Sequence, residues 1–432
     1  MASKRVLLLG DGDLADETAA ALEAAGAAVR RLEDPSHDQL REALREDPDS
    51  VTVVSRDDGW PLRAALLVRD LDDDVPIVAT IFDQPTGAQL EREIRRCTIT
   101  SLADIVAPVL AGPCLDDDLT ALVVEGGEPV GLSCDGGKVR DVPVPAPRPR
   151  RARALVWAVL RPFDRSAALV FFGALGLVAV LVLETLAAAA VLDQHIVDAF
   201  YGAVKTLVTV DPNPAVQDGP KWFKLFVSAT MLIALVFAAA FTGGLVERLV
   251  GRNLTGLLGR RAVPRSDHVV VVGLGQVGLR LCELLRRAGY SVVAVDDRED
   301  GENVGHARRL GFPVVIGRGA DPSLLERLSL HRAMALAAVT ADDIVNVRVA
   351  LAAREQAPDL RLVLRAGSNA AGGETRSLRR LGHVRDAHRI GAVSITGTAL
   401  GGAPSHVVVD GDTAQLRGAD GSLVECPYPV AA

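Results

Sequence analysis

Two apolar runs stand apart from the rest of the chain by their length and their lack of charge. Ser166 to Leu192 reads SAALVFFGALGLVAVLVLETLAAAAVL with Glu184 as its one charged residue, and Leu225 to Val246 reads LFVSATMLIALVFAAAFTGGLV with none. A bilayer core of roughly 30 Å takes about 20 apolar residues of helix, whereas a soluble helix of that length keeps a charged face. The pattern predicts two membrane spans, about 166–190 and 225–246, joined by a polar segment. On either side of this hairpin the apolar runs are short and alternate with helical stretches, which is the order of a parallel α/β sheet.

In the first flank, RVLLLGDGDLA (5–15) is an apolar run ending in Gly10-x-Gly12-x-x-Ala15. An Ala-rich helical stretch follows, then a second run, Ala27 to Leu32, ending in Glu33 and Asp34. This is the layout of a dinucleotide-binding βαβ start, in which glycines allow a tight turn at a helix N-terminus and an acid closes the second strand. Asp11 and Asp13 put negative charge where a pyrophosphate would lie, which counts against binding in this copy. Val51 to Ser55 and Ile77 to Ile81 read as further strands. Residues 119–145 alternate apolar runs with turns, a small β tail.

The second flank is stronger. HVVVVGLGQVG (268–278) carries the full Gly273, Gly275, Gly278 pattern after a continuous apolar strand, and Asp296 ends the next strand, SVVAVD. Gly273 permits the turn, Gly275 lets backbone amides approach phosphates, and Gly278 allows close helix–strand packing. An acid at position 296 suits a ribose diol, hence NAD(H) or an adenine nucleotide rather than NADP. The candidate cofactor-binding residues are Gly273, Gly275, Gln276, Val277, Gly278, Asp296, Asp297 and Thr340. Pro313 to Ile316, Ala335 to Thr340 and Arg361 to Arg365 read as three more strands.

The flanks align with each other. Gly10 matches Gly273 at an offset of 263, and each lies 23 residues before its acid, Glu33 or Asp296. Further on the offset is 285: Ser55-Arg-Asp-Asp meets Thr340-Ala-Asp-Asp, and Ile105 meets Ile390. One deletion of 22 residues in the first copy, opposite PVVIGRGADPSLLERL, accounts for the whole register. The fold class expected is two α/β Rossmann-like domains, an internal repeat, flanking a two-helix transmembrane hairpin with a pore-like loop. Its expected parts are a degenerate first domain with its β tail (1–145), a Pro/Arg-rich linker (146–165), the membrane region (166–246), a second linker (247–267), the nucleotide-binding domain (268–400) and a second β tail (401–432).

Charge adds orientation. Residues 148–165 carry six Arg against one acid and 247–265 carry five against one, whereas the loop 193–221 has four Asp and two Lys. Positive flanks stay inside, so both termini are expected in the cytoplasm and the loop outside, in a multi-pass protein of the cell membrane. The net charge of −8 argues against a nucleic-acid partner. Five scattered cysteines without metal-ligand spacing suit reduced thiols, and no metal site is expected.

Residues 268 to about 400 resemble the TrkA-N or RCK domain of potassium channels and uptake systems. The resemblance rests on VVVVGLGQVG, Asp296, Thr340-x-Asp342-Asp343-x-x-Asn346, Ala353-Arg354 and Leu364-Arg365. It implies a nucleotide-binding Rossmann fold that pairs into dimers and rings. Where the family has Gly-Asp after its third strand, this chain has Gly317-Arg318. The hairpin is similar to a two-span potassium-channel pore, with DAFYGAVKTLVTVDPNP (198–214) at the place of pore helix and filter. Thr206, Thr209, Val210 and Asp211 are the filter candidates, without the Gly-Tyr-Gly that stacks carbonyl rings in that family. The resemblance implies a non-enzymatic cation channel or transport protein, with K⁺ as the transported ion. Its nucleotide would gate the pore, in a homo-oligomer, a tetramer containing RCK dimers. The alternative is a non-conducting membrane-anchored sensor or regulatory subunit. Lys205 is a possible counter-charge for Glu184, Gly243 and Gly244 a possible hinge, and His383 and His388 are read as surface or packing residues.

Overall fold

A computed structural model describes residues 3–135, 138–146, 165–208, 214–250, 264, 266–367, 380–402, 404–410, 413–418 and 423–425. It divides into two compact units. One holds residues 1–149 together with 264–432, and the other holds residues 150–263.

The first unit contains two parallel sheets. In chain order the first is built from β1 (Arg5–Leu9), α1 (Gly12–Ala24), β2 (Ala28–Leu32), α2 (His37–Leu44), β3 (Ser50–Val53), α3 (Gly59–Leu71), β4 (Ile77–Thr80), α4 (Gln84–Glu93), β5 (Cys97–Thr100) and α5 (Leu102–Leu115). Its strand order is β2-β1-β3-β4-β5. A small antiparallel sheet follows: β6 (Ala121–Glu125), β7 (Glu128–Asp135) and β8 (Lys138–Pro143).

The second unit, the hairpin, is described by itself. It comprises α6 (Arg165–Val191), α7 (Ile196–Leu207), α8 (Pro214–Asp218) and α9 (Lys221–Val250). Leu169–Val191 and Lys221–Val246 are each long and apolar enough to cross a bilayer, and only 28% and 17% of their most apolar windows are buried. A core helix of a soluble domain would be mostly covered, so these two present their apolar faces outward. The second span starts four residues before the predicted run. Lys221, Trp222 and Lys224 extend it, amphipathic residues that suit a helix end, and Lys224 Nζ donates to the Gln217 carbonyl at 2.6 Å. Glycines set the spacing: a Cβ at Gly173 would meet the Phe241 backbone nitrogen at 2.7 Å, and one at Gly176 would overlap the Phe237 ring. Glu184 is 4% exposed and accepts a hydrogen bond from the Thr230 hydroxyl. The carboxyl group therefore turns toward the facing helix, and Lys205 is not needed to explain it. Helix α9 runs unbroken through Gly243 and Gly244.

The second sheet comprises β9 (His268–Val272), α10 (Gln276–Arg287), β10 (Ser291–Asp296), α11 (Val304–Arg309), β11 (Val314–Ile316), α12 (Pro322–Arg327), β12 (Ala335–Ala338), α13 (Asp343–Gln356), β13 (Arg361–Ala366), β14 (His383–Asp386) and α14 (Ala387–Ala399). Its order is β11-β10-β9-β12-β13-β14, all parallel. All five residues of β9 are buried, as a strand covered on both faces by helices requires. A second antiparallel sheet, β15 (Pro404–Asp410), β16 (Thr413–Gly418) and β17 (Leu423–Glu425), closes the described chain.

The two sheets exchange helices. From the first half, α5 enters the core of the second sheet: Val106, Leu110 and Cys114 cluster with Val269, Val277 and Leu281. From the second half, α14 completes the first sheet, with Ile395 and Ala399 packed on Val6, Leu14 and Val54. Polar bonds fix both exchanges. Arg361 binds Asp117 at 2.8 Å and the Leu115 carbonyl at 3.0 Å, and the Ser50 hydroxyl donates to the Ala399 carbonyl at 2.9 Å. Gly391 on α14 leaves room for Leu14 and Leu102.

Candidate nucleotide site

The site grows from the end of β9. Gly273 takes φ +101, and a Cβ there would lie 2.9 Å from the Thr340 amide nitrogen. Gly275 caps α10 without a side-chain hydrogen bond and has open space where its Cβ would be. The first amides of α10 are therefore turned to an uncrowded place, the arrangement that receives anions at helix N-termini. A Cβ on Gly278 would land far inside van der Waals distance of the Gly273 carbonyl oxygen. Only glycine lets this helix sit so close to the strand turn.

Asp296, the last residue of β10, accepts from the Leu274 amide at 2.8 Å and from the Arg298 amide at 3.1 Å. The carboxylate is thus fixed against the loop with acceptor capacity left for hydroxyls. Asp297 beside it is exposed. Val277 turns its side chain into the core, 3% exposed, so only its backbone belongs to the loop. Thr340 packs against Gly273, but its hydroxyl donates to Asn346 Oδ1 at 2.8 Å and its amide to the same oxygen at 2.9 Å. Thr340 shapes the loop, and its hydroxyl is occupied. Asn346, 1% exposed, donates to the carbonyls of Thr340 and Arg365 and ties β12 to β13.

The first glycine loop is tied to its own second strand. Arg31 donates to the Gly10 carbonyl at 3.2 Å and pairs with Asp16 and Glu33, and Trp60 donates to Asp34 at 3.3 Å. Both acids at the ribose position of this copy already have partners.

Between the two sheets lies an ionic cluster. Arg56 pairs with Asp13 at 3.6 Å and meets His388 Nε2 at 3.1 Å. Gln276, the first residue of α10, donates to the Arg56 carbonyl at 3.4 Å. His388, its side chain 3% exposed, is pushed down to about 4 by burial and by the nearby Arg365 and Arg56 charges. Burial likewise lowers Arg365 and raises Asp343, the latter opposed by the Gly367 amide at 2.8 Å. Next to His388, Asp386 is pushed up to about 6 by burial, against the Arg389 amide and guanidinium that favour its charge.

These groups predict a pH profile. His388 and His268, both held near 4 in the fold, bind protons more tightly in the unfolded chain, so their contributions are present above about 6.5 and lost as pH falls. Asp386 acts oppositely, because its folded value is raised and its contribution falls between about 4 and 6. The melting temperature is expected to rise with pH across 4 to 6.5, and Asp386→Asn, which keeps an N-cap, to steepen the rise. Parallel profiles for variant and wild type would show that Asp386 is ionised throughout.

Among the filter candidates, Thr206 is buried and donates to the Gly202 carbonyl at 3.0 Å, one turn earlier in α7. Thr209, Val210 and Asp211 lie outside the described residues. Sequence reasoning missed Arg56 as part of the second loop's surroundings, while His388, read as a surface or packing residue, is buried. The one available signal was the alignment of Ser55-Arg56-Asp57-Asp58 with the Thr340 motif, which marks Arg56 as a strand-end position.

Residues 269–385 match the TrkA-N domain family. The voltage-gated potassium channel Kch of Escherichia coli (strain K12) is 24% identical over 181 residues, 40% of this chain and 42% of that protein. The Trk system potassium uptake protein TrkA homolog of Pyrococcus horikoshii is 25% identical over 99 residues, 23% of this chain and 42% of that protein. The chain thus spans less than half the length of these curated relatives. Among solved structures, the GsuK channel bound to NAD aligns with a TM-score of 0.51 at 15% identity, over 92% of this chain and 64% of that one, a likeness of fold. Residues 269–385, which hold the open glycine loop, match the TrkA-N domain, and parts of the chain are similar to potassium channel and uptake proteins.

Proposed function

We propose that this chain is a subunit of a monovalent cation channel or transport protein, potassium first, regulated by NAD(H) or an adenine nucleotide at its second glycine loop. The observation that carries the reading is the uncapped, uncrowded N-terminus of α10 beside Asp296, in a chain with two helices long enough to span a bilayer. Gly273, Gly275, Gly278 and the backbone of Gln276 and Val277 hold the phosphates, Asp296 takes the ribose, and Asp297 lies at its rim. Thr340 acts through the loop it packs on. The protein is no enzyme in this reading. It sits in the cell membrane with both termini cytoplasmic and assembles as a tetramer whose α/β parts pair.

The same reading treats the two α/β halves as copies of one unit. Removing β11 from the order of the second sheet leaves the order of the first, as a deletion after the second strand would. The nucleotide shifts the conducting equilibrium only as far as it binds one state better.

A second reading, a non-conducting nucleotide sensor or regulatory subunit, is favoured by the missing Gly-Tyr-Gly in 198–214. Liposome flux of K⁺ and Na⁺ by the purified protein, with and without NADH, separates the two. Nucleotide-dependent flux is expected, and flux by this protein alone eliminates the sensor reading. Absence of flux in every condition would sink the channel reading.

A further inference from the structure

Residues from the carboxyl ends of both sheets meet at one place, where ligands of open α/β sheets bind. Arg56, after β3, has its carbonyl oxygen 3.4 Å from the side-chain amide of Gln276, the first residue of the open helix α10. Its guanidinium is 61% exposed, and its partners are weak ones. Asp13, itself part-exposed, stands at 3.6 Å, and the buried ring of His388 offers a lone pair at 3.1 Å. The positive charge of Arg365 lies close enough to be felt by both Arg56 and His388. A phosphate at the start of α10 gives such a guanidinium a better partner, two charge-assisted hydrogen bonds in a planar fork. In the first half, by contrast, Arg31 is tied to the Gly10 carbonyl and to Asp16, and Asp11 and Asp13 put negative charge where phosphates would lie.

We propose that Arg56, supplied by the first α/β half, contacts the nucleotide's phosphates at the second glycine loop, and that each chain binds one nucleotide. The proposal rests on the nucleotide reading above and deepens it. Asp13 is the resting partner that holds the guanidinium until phosphate replaces it. The first half thereby senses the ligand of the second.

Calorimetric titration of the full-length protein in detergent with ADP, NADH and adenosine tests this. Wild type is expected to bind one ADP per chain. Arg56→Ala is expected to weaken ADP and NADH at least tenfold and to leave adenosine unchanged, because adenosine has no phosphate. Asp13→Asn is expected to tighten ADP, and the double variant to lose that gain, which keeps the test independent of the stability of either single variant. Equal ADP affinity in wild type and Arg56→Ala, an equal loss for adenosine, or two ADP per chain would each overturn the proposal. If wild type binds neither ADP nor NADH, the nucleotide reading itself falls, a failure distinct from the other three.

Discussion

Gly278→Ala is expected to abolish nucleotide binding, with affinity for NADH falling at least tenfold and stability by about 1–3 kcal/mol, the usual cost of overfilling a packed site. A methyl group here is driven against the Gly273 carbonyl oxygen and approaches Val339. Either α10 moves away from β9, or the Gly273 turn opens. Both displace the amides that receive the phosphates. The first half offers a control within the same molecule: at the equivalent place Ala15 is fully buried, its methyl group accommodated. Ala15→Gly is therefore expected to leave NADH binding unchanged. The measurement is the NADH-induced rise in melting temperature, which reports binding to the folded state alone. A full thermal shift in Gly278→Ala would mean that the close helix–strand approach is not required for binding.

Arg280→Ala is expected to loosen the two α/β halves from each other at a cost of about 3 kcal/mol, typical of removing one partner from a largely buried ionic group. Arg280 stands one turn into α10 with its side chain 14% exposed. It pairs with Asp104 of α5 at 2.9 Å and with Glu283 at 2.9 Å, donates to the Phe82 carbonyl at 3.0 Å, and stacks over the Phe82 ring at 4.7 Å. Its loss leaves Glu283, only 12% exposed, without that cation. Arg280→Lys keeps a charge but loses the planar fork and the stacking face, so it is expected to recover only part of the stability. Melting temperatures in detergent and limited proteolysis between the halves read the effect. An unchanged melting temperature would mean that Arg280 contributes nothing to holding the halves together, leaving the interface to the other contacts of α5 and α14.

The long apolar spans and the β9–Gly273–α10–β10 unit were legible because each repeats one physical rule over many residues. A bilayer demands unbroken apolarity, and a doubly covered strand demands Val after Val. The edge strands β5 (CTIT) and β14 (HVRD) were not legible: they are short and polar, and their identity comes from pairing with β4 and β13 rather than from their own pattern. In the site, glycines and Asp296 announced themselves, since backbone geometry restricts which residues serve there. Arg56 and His388 did not, because their role depends on residues 332 positions apart meeting in space. The same holds for Thr340, whose place at a strand end was readable while the commitment of its hydroxyl to Asn346 was not.

The exchange of α5 and α14 fixes an order of events during synthesis. Ser50 finds its partner carbonyl on Ala399 only after 349 further residues have been made, roughly 20 to 70 s at ordinary ribosome speeds of 5–20 residues per second. In that interval the face of β1 and α1 that α14 will cover stays bare. A chain cut short before α14 would leave that apolar face uncovered, so completion of the first sheet waits on a helix from the second half.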